Sequence, residues 1–159
     1  MKILHVGSFT GNIGDNANHF GFRNWIKNFL DTDPLWEELE IREFYRNERK
    51  WDESFVSLAN SYDLIVFGGG NYFELWVEKS PTGTSIEIPP EHFKKINTPM
   101  LFNGLGSDLG KGYSSKTVKD FDNFLNIALY EKESLVTVRN DGSLKSLKKI
   151  FGDKYIKAV

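Results

Sequence analysis

An α/β fold with a parallel sheet is predicted by three features of the sequence. Apolar runs of strand length alternate with stretches of helical period. One run, Leu64–Phe67, is continuously apolar, as in strands covered on both faces. Glycines close the runs at Gly7, at Gly68–Gly70 and at Gly104–Gly106. The length of 159 residues fits one domain, and 40% hydrophobic and 14% aromatic residues suffice for a well-buried core.

The first strand is Ile3–Val6, followed by a glycine loop through Gly14. Phe22, Trp25, Ile26, Phe29 and Leu30 then follow i, i+3, i+4, i+7, i+8 and predict a helix with those five residues inward. Asp31–Pro34 ends it. Glu40–Tyr45, with charges alternating against apolar residues, is expected to form an edge strand. Trp51–Ser61 allows a helix with Phe55, Leu58 and Ala59 inward, leading into the strand Asp63–Phe67. Asn71–Pro90 has turn residues and aromatics without a period and is expected to be a long functional loop.

Pro99–Asn103 is the next strand, and a helix from about Ser115 carries Val118, Phe121, Leu125, Ala128 and Leu129 on one stripe. Leu135–Arg139 is a fifth strand. Asn140 or Asp141 caps a helix with Leu144, Leu147, Ile150 and Phe151, and Tyr155–Val159 is expected to begin another strand. Strands alternating with helices give βαβ units, hence a three-layer, Rossmann-like parallel sheet with helices on both faces. Ligands in such sheets bind beyond the carboxyl ends of the strands, so Gly7–Asp15, Gly68–Tyr72, Asn103–Asp108 and Arg139–Asp141 should converge on one cleft.

Composition removes several functions. The formal charge of −2 supplies no broad basic face for nucleic acid. The absence of cysteine excludes disulfides, thiolate metal sites and cysteine nucleophiles, and it suits a reducing compartment, making the cytoplasm the expected location. No run approaches the ~20 apolar residues of a membrane helix. Phosphate-loop and nucleophile-elbow motifs are missing, and Gly7, Gly11 and Gly14 have the wrong spacing for a dinucleotide fingerprint. His5, His19 and His92 show no metal-ligand spacing.

The candidate chemistry lies at the strand ends. Gly11, Asn12, Gly14, Asp15 and Asn16 sit where a strand hands over to a helix, so backbone N–H groups can face an anion or sugar hydroxyls; Asp15 could equally be a helix cap. Gly69, Gly70, Asn71, Gly104 and Gly106 follow two strands, where successive glycines imply unusual backbone angles or close contact. Arg139 is a fixed cation with a planar fork suited to carboxylate or phosphate, or else the partner of a strand-end carboxylate. His19, four residues after Asp15, projects from the same helix side as a second candidate for acid–base work.

Together, Gly11–Ala17 (GNIGDNA), Asp63–Gly70 (DLIVFGGG), Gly104–Gly106 and Val136–Asp141 (VTVRND) resemble, in order and spacing, the polysaccharide pyruvyl transferase family. The resemblance spans most of the chain. It implies one half of a two-domain architecture like that of GT-B glycosyltransferases, and transfer of pyruvate from phosphoenolpyruvate to a hexose of a cell-surface polysaccharide as a ketal. By resemblance Asp15 contacts the acceptor or serves as general base, Arg139 pairs with the carboxylate or phosphate of phosphoenolpyruvate, and the glycine turns leave room for substrate. At Asn16 the chain has an amide where many members carry an acid. The resemblance implies no metal or cofactor, and association with a membrane surface through a lipid-linked acceptor. Because that family is about twice as long, this chain is expected to be its amino-terminal half, without turnover on its own. Two other readings stay open: a nucleotide- or sugar-nucleotide-binding module, and an interaction domain using the aromatic Tyr72–Trp76 loop.

Overall fold

The computed structural model describes residues 1–156 and 159. Five strands form one all-parallel sheet: β1 (Lys2–Gly7), β2 (Leu35–Glu40), β3 (Leu64–Gly68), β4 (Met100–Leu105) and β5 (Leu135–Val138), in the order β2-β1-β3-β4-β5. Among the described residues six helices complete the fold: α1 (Ile13–Leu30), α2 (Arg42–Tyr45), α3 (Glu53–Ala59), α4 (Pro90–Phe93), α5 (Ser115–Asn126, extended by a π-helical turn, Ile127–Glu131) and α6 (Ser143–Phe151). The predicted α/β class with helices flanking a parallel sheet is the observed one. Among the described residues no helix is long and apolar enough to cross a membrane.

Alternation along the strands creates two unequal cores. Leu4, Val6, Ile65, Phe67 and Phe102 point to one face, where α3, α4 and α5 supply Phe55, Phe93, Phe121 and Phe124. Phe67 and Phe102 stack at 4.8 Å, and Phe93 and Phe124 at 5.1 Å. Ile3 and Val66 face the other way, against Phe22 and Ile26 of α1.

Three sequence expectations are corrected. First, the stripe on α1 is rotated: Asp15, His19 and Ile26 are buried, whereas Trp25 and Phe29 are exposed and stack on each other at 5.3 Å. A helix passing over the carboxyl ends of strands turns polar residues inward there, which a purely apolar period cannot register. Second, the edge strand is Leu35–Glu40 instead of Glu40–Tyr45. Only Leu39 is buried along that edge, while Ile41 and Phe44, three residues apart, are buried as a helical turn would bury them. Third, Tyr155 and Ile156 form a turn instead of a strand, with the Tyr155 hydroxyl donating to Asp122 Oδ1 at 2.7 Å; the rest of that expected strand falls partly outside the described residues. The capping of α6 is subtler. Gly142 occupies the N-cap position, and the carboxylate of Asp141, one residue earlier, accepts from the Ser143 N–H at 3.2 Å and hydroxyl at 2.6 Å.

The segment 71–89 has no regular structure, yet much of it is core: Phe73, Leu75, Ile86 and Ile88 are buried, and Ser80, Thr82 and Thr84 satisfy one another and the Ile86 carbonyl inside it. A long unpatterned loop is therefore a packed part of the fold. Of the aromatic stretch Tyr72–Trp76, Trp76 alone among the large apolar residues is exposed, which leaves little surface for association there.

Candidate functional site

The strand order reverses between β1 and β3. Their following loops leave the sheet toward opposite faces, opening a crevice at the carboxyl ends. Around it the chain brings together residues 124 positions apart. Arg139, just past β5, donates from Nη2 to the Gly69 carbonyl at 2.6 Å and lies 3.5 Å from Asp15 Oδ1. The other oxygen of Asp15 accepts from Asn12 Nδ2 at 3.0 Å, and Asn12 Oδ1 in turn caps α1 by accepting from the Gly14 N–H. Asn12, not Asp15, is thus the helix cap, and Asp15 is held between an amide and a guanidinium.

The second terminal nitrogen of Arg139 is engaged only loosely, 4.0 Å from Asp141. It borders an open polar cleft of about 400 Å³ with Ser107, Asp108, Ser143 and Asn71. A guanidinium with one edge anchored to backbone and the other toward a polar cleft is pre-oriented for a planar anion.

The glycines serve mainly to let the chain approach itself. A methyl at Gly69 (φ +83°) would lie 2.4 Å from the His19 ring, and one at Gly106 would lie 2.0 Å from Asn71 Oδ1. The Gly106 N–H donates to the Gly70 carbonyl, locking the loops after β3 and β4 together. The space expected for substrate at Gly69, Gly70 and Gly106 is therefore filled by His19, Tyr72 and Asn71. Gly104 lies inside β4, not beyond it, at the irregular step of the β4–β5 pairing; its N–H donates to Thr137 Oγ1. Gly11 faces the Arg42 guanidinium, and Asn16 is exposed on the first turn of α1.

His19 lies below the rim. Its ring is buried, Nε2 donates to the Ser8 carbonyl at 3.1 Å, and Nδ1 has no partner among the described residues. The His5 ring meets it edge-on at 4.6 Å, and His5 Nδ1 accepts from Arg23 Nε at 3.2 Å. Burial pulls both histidines below their ordinary value, His5 the more strongly, with the charges of His19 and Arg23 acting in the same direction on His5. Unfolded histidines titrate near 6.5, so below that pH the unfolded chain binds protons that the folded chain refuses. Stability should fall as pH drops from 7 toward 5.5, more through His5 than through His19, where the Ser8 carbonyl and Asp15 act against burial. Urea midpoints at the two pH values test this, and a flat profile would contradict it.

Sequence reasoning missed two rim residues. Glu40, the last residue of β2, accepts from the N–H groups of Phe9 and Thr10 and from the Thr10 hydroxyl, clamping the β1–α1 loop. Arg42 donates to the hydroxyls of Ser8 and Thr10. Both looked like alternating charges of an edge strand; a change from period 2 to a helical turn after Glu40 was the available signal. Comparison of the chain with protein families, with curated proteins and with solved structures finds no match.

Proposed function

We propose that this chain is a polysaccharide pyruvyl transferase-like unit whose rim brings phosphoenolpyruvate to a hexose hydroxyl of a glycan. The observation that carries the reading is the meeting of Asp15, Arg139 and the Gly69 carbonyl, because these come from three of the four separated segments on which the family resemblance rests. In this reading the free edge of Arg139 takes the donor carboxylate. Asp15, buried at the rim and already fixed by Asn12, accepts the proton of a hydroxyl brought against it. A proton matching the one Asp15 takes is added to the donor's methylene carbon as the first hydroxyl oxygen bonds to the adjacent carbon; the second hydroxyl oxygen then bonds to that carbon as its bond to the phosphate oxygen breaks, and the second hydroxyl's proton leaves with the phosphate, giving the ketal. His19, beneath Gly69, supports the rim from below.

A sugar-nucleotide module is the weaker reading, since Asn12 already occupies an N–H of the α1 terminus that a diphosphate would use. The test is binding, because the family places further donor-binding cations in a second domain. Phosphoenolpyruvate titrated into the labelled chain should shift the amide resonances of 69–71, 106–108 and 139–143. Arg139→Ala should weaken that binding at least tenfold, about 1.4 kcal/mol. Shifts elsewhere, or unchanged affinity in the variant, would remove Arg139 from the donor site.

A further inference from the structure

A second cavity, of about 540 Å³, lies between α2 and the segment 71–89, walled by Phe44, Tyr45, Tyr72, Trp76, Glu74 and Glu87. It is within the roughly 300–1,000 Å³ typical of small-ligand sites. Its aromatic wall is held in place. Trp76 Nε1 donates to Glu74 Oε2 at 2.7 Å, Asn71 Nδ2 donates to Glu74 Oε1 at 2.7 Å, and the Lys111 ammonium sits 4.7 Å from the indole centroid. Trp76 is nonetheless 44% exposed, a large apolar plate left open beside hydrogen-bonding groups.

Its polar groups converge. The Tyr45 phenol is pushed up by burial and by the neighbouring Tyr72, Glu87 and Glu74, with Ser85 acting in the opposite direction. Burial also raises Glu87. Tyr72 contributes the side of its ring to the wall, its hydroxyl end lying against Gly70. A flat aromatic surface bordered by carboxylates, hydroxyls and an amide complements a ligand with an apolar face and a hydroxyl rim, which is the chemistry of a pyranose. Glu74 and Glu87 oppose a phosphate: Lys79 lines the wall, and Lys111, beside the indole, is already paired with Glu74 at 3.2 Å.

We infer that this cavity is a sugar-binding subsite that takes a neutral pyranose stacked on Trp76. Asn71 lines both this cavity and the polar cleft beside Arg139. A sugar seated here is therefore adjacent to the rim, in the position of the glycan unit next to the one that reacts. That assignment to a glycan rests on the pyruvyl transferase-like reading; occupancy of the cavity by a pyranose does not.

Saturation-transfer NMR on the chain with methyl β-galactoside, methyl β-glucoside and lactose provides the test. Transfer to ring C–H protons of at least one probe is expected, reduced at least fivefold in Trp76→Ala and at least twofold in Tyr45→Phe, a variant that only removes a hydroxyl. Trp25→Ala, which removes an exposed indole outside the cavity, should leave it unchanged. No transfer from any of the three, undiminished transfer in both cavity variants, or stronger transfer to adenosine would overturn the subsite. Sugar binding that survives when phosphoenolpyruvate fails to bind would reject the donor reading alone.

Discussion

Replacing Gly69 with alanine is expected to destabilise the protein by about 2–5 kcal/mol and to dismantle the rim. The backbone there is left-handed, at φ +83°, where a side chain costs about 1–2 kcal/mol. The added methyl would also lie 2.4 Å from the buried ring of His19, and overpacking of that kind costs about 1–3 kcal/mol. Relief requires either the ring or the loop to move. If the loop moves, the Gly69 carbonyl leaves Arg139 Nη2, and the guanidinium loses the contact that orients it. Urea denaturation of Gly69→Ala, His19→Ala and the double variant separates the contributions. The double variant should be more stable than the sum of the single losses, because the steric part vanishes with the ring while the dihedral part stays. Strict additivity would show that His19 does not limit Gly69.

Phe102→Ala should cost about 3–5 kcal/mol, a large share of the roughly 5–15 kcal/mol that holds a domain folded. Phe102 is fully buried in the middle of β4, stacked on Phe67 and met edge-on by Phe93 and Phe124. Those rings come from β3, α4 and α5, so no single neighbour can swing in to close the cavity. Phe102→Leu, which keeps most of the volume, should cost far less. A loss below about 1 kcal/mol in the alanine variant would mean that the aromatic cluster repacks. Since β4 lies between β3 and β5, this core sets the spacing between Gly69 and Arg139 and thereby the geometry of the rim.

Much of the candidate site is legible in the sequence. Asp15, Gly69, Asn71 and Arg139 stand out because the segments that follow parallel strands all leave from one edge of the sheet, a consequence of the strands' common direction that needs no strand order. Glu40 and Arg42 do not, because an edge strand exposed on most positions has nearly the same charge alternation as a surface helix turn. Trp76 and Tyr45 escape as cavity walls for a different reason: Tyr45 closes α2 and Trp76 lies in a segment without a period, so that their meeting comes entirely from tertiary packing.

The sequence by itself determined the alternation of strands and helices, the parallel sheet and the edge at which polar residues gather, since hydrophobic period and glycine position are local properties. Only the tertiary structure decided the order β2-β1-β3-β4-β5, the inward turn of Asp15 and His19 on α1, and the filling of the glycine spaces by His19, Tyr72 and Asn71. These depend on which distant side chains compete for the same volume, and volume in a close-packed interior is settled by the whole chain at once.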